Sequence, residues 1–257
     1  YISLPISYNK TSDGPCIIHS DDAYRISDKT AEELLKHPVI TDAATVDILI
    51  KRGFEFNISV EKIDTLKMCE KCTKHPINAD IPQKEWNGKF SGRREGWKIT
   101  ANDSSVEAVG VYYSPNKDLS YANDIATAII TTSYNAKWAV FGFDIWNRII
   151  CTSRRNQIFN AVEYISGKPL DARLISSFCS IILPRKYKDG KLASVSIVNC
   201  MPGESGEIEI KVNVPENTVV KYMSQYNGEG MYTVGGDGIL KLPGMAAWTI
   251  ATVFFQY

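Results

Sequence analysis

The most distinctive spacing of reactive side chains in the sequence is Cys69-Glu70-Lys71-Cys72, with His75 three residues further on. Two thiolates separated by two residues can bind one zinc ion, and His75 could supply a third ligand. The pair could also act as a redox dithiol, although such pairs normally begin a helix after a strand. No second Cys or His pair follows at zinc-knuckle spacing. A zinc or redox module therefore ranks third, behind the two hypotheses given at the end of this section.

A second kind of chemistry would use carboxylates and aromatic rings to bind sugar. Asp144 directly follows Ala139–Phe143, a strongly apolar run, and ligands of open α/β sheets bind at the carboxyl ends of strands. The competing interpretation of Asp144 is structural, as a turn cap or the partner of a nearby arginine. Trp86, Trp97 and Trp146 could stack on sugar rings, although packing is the usual role of such aromatics. These four residues are the candidate sugar-binding residues.

The motifs of several common enzyme classes are missing from the sequence. Residues 203–207 lack the final glycine of a G-x-S-x-G nucleophile elbow. Residues 228–230 lack the third glycine of a dinucleotide-binding turn, and no P-loop is present. Only His19, His37 and His75 could serve as the base of a Ser- or Cys-centred triad. We therefore expect no cofactor, whereas a pair of carboxylates that acts on a glycosidic bond stays open at this point.

The overall composition excludes further classes of protein. The 257 residues carry 29 Lys and Arg against 29 Asp and Glu, which argues against nucleic acid or an anionic membrane surface as a partner. No uninterrupted apolar run approaches the roughly 18 residues of a membrane span. Six cysteines are too few for a disulfide scaffold, although one or two bridges stay open. A reducing, cytoplasmic setting is expected.

Strand and helix signals alternate between residues 14 and 66. Ser27 is suited to cap one helix and Asp42 another, and Gly53 is suited to end the second. Strand–helix alternation with short connections predicts an α/β layer with parallel strand pairing. Three short apolar runs are typical of its strands: residues 15–19, 38–41 and 54–60.

The pattern changes twice further along the chain. Residues 67–96 are rich in Pro and Gly, which predicts a loop or an excursion from the sheet. A buried strand over 137–144 and a helix that ends at Gly167 follow. Beyond residue 170 the apolar period becomes two, and short strands separated by turns predict an antiparallel sandwich. The predicted domains are 1–169 and 170–257.

Several segments resemble the C-terminal regions of bacterial glycoside hydrolases, most closely the beta-galactosidase type with a trimerisation domain. In those proteins a glutamine-amidotransferase-like, flavodoxin-like domain follows a catalytic barrel, and a small β-sandwich ends the chain. The resemblance implies an α/β flavodoxin-like (amidotransferase-like) layer domain followed by an all-β sandwich, and leaves open whether the first is complete at its N-terminal side. The matching segments are 32–46 with 51–54, 138–146 with 153–157, 184–185, 189–192, 198–199, 243–244 and Trp248.

The resemblance also implies a function. The barrel that would hold the catalytic carboxylates is absent from the sequence, as is the amidotransferase cysteine elbow, and the chain begins with Tyr1 rather than Met. We therefore expect a non-catalytic C-terminal portion of a glycoside-hydrolase-like protein, which serves subunit assembly or walls the active-site cleft. Its expected partners are the catalytic barrel of the parent chain, carbohydrate and further copies in a homo-oligomer. A free-standing carbohydrate-binding module is the alternative.

Overall fold

The structure is a computed structural model that describes residues 14–65, 68–79, 81, 95–113, 124–145 and 152–257. The chain divides into two compact units, one within Asp13–Lys168 and one within Pro169–Tyr257. Trp86 and Trp146, two of the candidate sugar-binding residues, lie outside the described residues. None of the helices in the described ranges is long and apolar enough to cross a membrane.

The first unit is built on one mixed sheet of eight strands. Its strands are β1 (Cys16–Ile17), β2 (Val39–Asp42), β3 (Ile58–Asp64), β4 (Cys69–Cys72), β5 (Glu95–Ala101), β6 (Glu107–Tyr113), β7 (Ile125–Thr131) and β8 (Lys137–Phe141). The strand order is β1-β2-β8-β7-β5-β3, and β6 pairs with both β7 and β4. Its helices are α1 (Ser20–Ala23), α2 (Asp28–Leu34), α3 (Ala43–Lys51) and α4 (Thr152–Ser166), with a short 3₁₀ helix at Pro76–Asn78.

The prediction of an α/β flavodoxin-like layer domain is wrong, because the unit is dominated by antiparallel pairing. Only β1, β2 and β8 run parallel to one another. The other pairings among the described strands are antiparallel. The predicted third parallel strand is β3, which begins at Ile58 and pairs antiparallel with β5 instead. Its exposed Glu61 and Lys62 pair with Lys98 and Glu95 of β5, at 2.8 Å in each case.

The helices of this unit begin and end where their capping residues dictate. Ser27 accepts a hydrogen bond from the Thr30 amide, and α2 follows it directly. Asp42 caps α3 in the same way, and Gly53 just beyond that helix has φ of +95°. The buried face of α3 packs Val46 and Leu49 onto the sheet. These local signals position the loops at the carboxyl ends of β1 and β2.

The second unit consists of two antiparallel sheets with a common core. Its strands are β9 (Ala172–Leu174), β10 (Ser180–Lys186), β11 (Leu192–Asn199), β12 (Ile208–Val212), β13 (Val219–Ser224), β14 (Gly228–Thr233), β15 (Ile239–Leu242) and β16 (Ile250–Gln256). The orders are β10-β11-β16-β13-β14 and β15-β12-β9. Alternating side chains of both sheets, such as Ile210 and Val253, are fully buried in one cluster, which is sandwich packing.

The outer face of the five-stranded sheet carries several exposed apolar side chains beside the Lys221–Glu229 ion pair. Strand registers place the alternate residues of β10, β16, β13 and β14 on this face. Seven large apolar side chains there are 39–57% exposed, namely Ile181, Leu183, Val219, Met223, Met231, Ile250 and Phe254. We call this surface the apolar outer face. An exposed apolar patch of this kind is typical of a surface that contacts another protein surface.

Candidate functional site

The parallel part of the sheet brings three ionisable side chains to one edge. His19 follows β1, Asp42 ends β2, and Asp144 follows β8. Because these three strands are parallel neighbours, their carboxyl ends meet at the same edge of the sheet. The Nε2 atom of His19 lies 3.3 Å from Asp42 Oδ2 and 3.9 Å from Asp144 Oδ1. We call these three residues the carboxyl-edge cluster.

Asp42 is the buried anchor of the cluster. Its side chain is 3% exposed, and its Oδ1 accepts hydrogen bonds from the amide of Thr45 at 2.7 Å and the hydroxyl of Thr45 at 2.8 Å. Burial raises the pKa of the Asp42 carboxyl, while the hydrogen bonds from Thr45 and the proximity of His19 oppose the rise. One oxygen is thus committed to capping α3, and the other faces His19.

The imidazole of His19 is held through Nδ1, the ring nitrogen that faces away from the two carboxylates. Nδ1 of His19 accepts a hydrogen bond from the Asp21 amide at 3.4 Å as the cap of α1, and the Asp22 carboxylate accepts one from the His19 amide. An accepting Nδ1 places the proton of a neutral imidazole on Nε2. Nε2 is then the ring nitrogen that faces the two carboxylates, 3.3 Å from Asp42 Oδ2 and 3.9 Å from Asp144 Oδ1.

The two carboxylates of the cluster differ in exposure. The side chain of Asp144 is 21% exposed, whereas that of Asp42 is 3% exposed. Glycosidic bond hydrolysis normally needs two carboxyl groups that face the scissile bond. A partly exposed carboxylate beside an imidazole can accept hydrogen bonds from the hydroxyl groups of a ligand. The arrangement is therefore suited to polar binding.

Trp97 is the one aromatic candidate among the described residues. The contacts of its ring are with residues outside the carboxyl-edge cluster. It stands on β5, half-buried against the core of the first unit, with Lys62 Nζ 5.8 Å from its ring centre. Its backbone is tied to the end of β8, because its amide donates to the Gly142 carbonyl at 2.6 Å. The ring has the packing role that is usual for such aromatics.

The structure separates the residues of the zinc and redox hypothesis. Cys69 and Cys72 stand three positions apart on β4, so their side chains point to opposite faces of the sheet. Burial and the nearby Glu70 carboxylate raise the pKa of the Cys72 thiol to about 12. His75 is engaged elsewhere, with Nε2 3.1 Å from Glu107 Oε2. Across the described ranges, no group of three or more His, Cys, Asp or Glu side chains is arranged to hold a metal ion.

Sequence reasoning missed His19 and Asp42 as members of a site. Asp42 was identifiable only as a helix cap, and His19 only as one of three histidines. A signal was available, because both residues follow strand-like runs just as Asp144 does. The rule that pointed to Asp144 would have found the other two if strand adjacency had been known.

The described residues form a mixed-sheet unit and a β-sandwich unit. The α-L-fucosidase isoenzyme 2 from Paenibacillus thiaminolyticus is similar in structure, with a TM-score of 0.54 and 9% sequence identity. The similarity covers 89% of this chain and 38% of the fucosidase chain. At this identity the likeness concerns the fold alone. No protein-family model and no curated protein sequence matches the chain.

Proposed function

We propose that this chain is a non-catalytic portion of a glycoside-hydrolase-like protein, and that its carboxyl-edge cluster contacts carbohydrate at the wall of a cleft. The observation that carries the proposal is the partly exposed Asp144 carboxylate, which lies 3.9 Å from the His19 imidazole, itself 3.3 Å from the buried Asp42. The similarity in fold to part of an α-L-fucosidase supports the carbohydrate context. The neutral overall charge of the chain suits an uncharged ligand.

Each member of the cluster has a distinct role in this proposal. Asp144 accepts a hydrogen bond from a sugar hydroxyl. His19 is a positioning residue, because its imidazole lies 3.3 Å from the Asp42 carboxylate and 3.9 Å from the Asp144 carboxylate. Asp42 holds the imidazole in one orientation and caps α3, a contribution of about 1 kcal/mol to stability for a typical cap. Catalytic carboxylates belong, on this proposal, to another domain of the parent protein.

Replacing Asp144 with Ala is expected to weaken sugar binding about tenfold or more, because the ligand loses a charge-assisted hydrogen bond. The measurement is a titration of the 257-residue chain with methyl α-L-fucopyranoside and with methyl β-D-galactopyranoside, followed by NMR. The matched control is Asp47→Ala, since Asp47 is similarly exposed at 27% but pairs with Lys51 on α3. Equal binding by wild type and Asp144→Ala, or binding of neither sugar, would count against the proposal.

A second candidate function, domain assembly, is favoured by the apolar outer face. Five strands about 4.8 Å apart and some six residues long give this face an area of roughly 500 Å². A stable dimer needs about 800 Å² from each partner, whereas domains of one chain bury about 300 to 750 Å² each. We therefore propose that another domain of a longer polypeptide covers this face, and that the catalytic barrel is that domain. The chain corresponds to only 38% of the similar fucosidase chain.

Methionine oxidation can test this assembly. Met223 and Met231 are 39% and 57% exposed on the apolar outer face, whereas Met245 is fully buried. In the 257-residue chain we expect hydrogen peroxide to oxidise the first two readily and Met245 slowly. In the full polypeptide encoded by the gene, Met223 and Met231 should react about tenfold more slowly. A gene that encodes nothing beyond these 257 residues, or unchanged oxidation rates in the longer chain, would contradict the proposal.

A further inference from the structure

The second unit carries an open groove that the proposed function does not use. The groove has a volume of about 410 Å³, within the range of small-ligand sites. It lies between the turn that joins β10 to β11 and the end of β16. Its lining residues are Tyr187, Asp189, Lys191, Phe255, Gln256 and Tyr257. We call it the tyrosine groove.

Two tyrosine rings stand exposed at this groove. Tyr187 is 52% exposed and Tyr257 is 58% exposed, while Phe255 between the strands is buried. The hydroxyl of Tyr257 donates to the Leu192 carbonyl at 3.0 Å, which fixes the ring. Burial raises the pKa of Tyr257, and the nearby Tyr187 and Asp189 add to the rise. A ring that is fixed before binding loses little conformational freedom when a ligand stacks on it.

The charged residues of the groove are held by the same turn. The Tyr187 amide donates to the Lys191 carbonyl at 2.8 Å, and the Lys191 amide donates to Asp189 Oδ1 at 3.1 Å. The Lys191 ammonium lies 3.6 Å from Asp189 Oδ2 and 5.4 Å from the centre of the Tyr257 ring. One positive and one negative side chain thus balance each other, so the groove has no preference for a charged ligand.

We infer that the tyrosine groove binds a neutral carbohydrate ring. The C–H face of a pyranose packs on the exposed tyrosine rings, and its hydroxyl groups pair with Gln256, Asp189 and Lys191. An open, shallow site suits a ligand whose remaining hydroxyls stay in water, whereas a purely apolar ligand would need a deeper pocket. This site lies in the sandwich unit and is separate from the carboxyl-edge cluster. The inference rests on the proposed function only for the class of ligand, which is carbohydrate.

The experiment is saturation-transfer NMR of the 257-residue chain with methyl α-L-fucopyranoside, methyl β-D-galactopyranoside and cellohexaose as probes. We expect at least one probe to receive saturation on its C–H face, and Tyr187→Ala and Tyr257→Ala each to raise its Kd about tenfold. Tyr257→Phe keeps the ring and should change the Kd less than about threefold. The matched control is Tyr226→Ala, since Tyr226 is 53% exposed on another turn, where its hydroxyl donates to Glu204.

The outcomes separate this inference from the proposed function. Loss of binding in the two tyrosine-to-alanine variants, with normal binding by Asp144→Ala, supports the groove and counts against the carboxyl-edge cluster. The reverse pattern supports the cluster and overturns the groove. Binding of no probe at about 20 mM, or equal loss in Tyr226→Ala, also overturns the groove.

Discussion

Replacing Arg154 with Met is expected to lower the free energy of unfolding of the first unit by about 3–5 kcal/mol. The Arg154 side chain is 2% exposed and Glu70 is completely buried, and Arg154 Nη1 lies 2.5 Å from Glu70 Oε2. Thr127 donates to the other oxygen of Glu70 at 2.5 Å. Removal of the guanidinium leaves a buried carboxylate without its positive partner, which is among the costliest changes in a protein interior.

Two further variants separate this effect from a general loss of packing. The double variant Glu70→Gln with Arg154→Met removes both charges and should be less destabilised than Arg154→Met alone. Lys137→Met removes one of the partners of Glu107, at 3.5 Å. Because these two side chains are 38% and 35% exposed, we expect a change below about 1 kcal/mol. Urea denaturation followed by circular dichroism measures all three. A loss below about 1 kcal/mol for Arg154→Met would contradict the argument.

Helix positions could be predicted from the sequence because their signals are local. An N-cap oxygen satisfies amides only two or three residues away, so Ser27 and Asp42 identify α2 and α3 without knowledge of the rest of the fold. The signals that end α3 and α4 are equally local, since Gly53 and Gly167 adopt positive φ just beyond these helices. Each of these features depends on a few consecutive residues.

Strand pairing could not be predicted in the same way. The run that becomes β3 has the composition of a strand in either direction, and its antiparallel partner β5 lies beyond the Pro- and Gly-rich segment 67–96. Which strands become neighbours depends on contacts that are distant in sequence. Alternation favours an α/β layer with parallel pairing, and the resemblance implies flavodoxin-like order, whereas the Glu61–Lys98 pair across β3 and β5 becomes visible only with the fold.

The candidate site also combines residues that local sequence signals identify with residues that only long-range contacts bring together. Asp144 could be found because it directly follows an apolar strand, which is a local pattern. Its association with His19 requires β1, β2 and β8 to be adjacent, and no local pattern encodes that. The Cys69–Cys72 spacing drew attention to two thiols, whereas Glu70 between them carries the buried ion pair. Its partner Arg154 lies on α4, far along the chain.

Replacing Trp138 with Ala is expected to lower the free energy of unfolding of the same unit by about 3–5 kcal/mol. Trp138 is fully buried on β8 and packs edge-on against Phe56 at 5.4 Å between ring centres. Its indole N–H donates to the His37 carbonyl at 3.1 Å, so truncation creates a cavity and also removes this hydrogen bond.

The comparison that tests this explanation is Tyr134→Ala in the same unit. Tyr134 is 53% exposed, and we expect its truncation to change stability by no more than about 0.5 kcal/mol. Trp138→Phe should fall between the two, because it keeps a ring in the core but still loses the bond to His37. Urea denaturation of the three variants gives the order directly. Equal stability of Trp138→Ala and Tyr134→Ala would show that β8 is not the centre of this core.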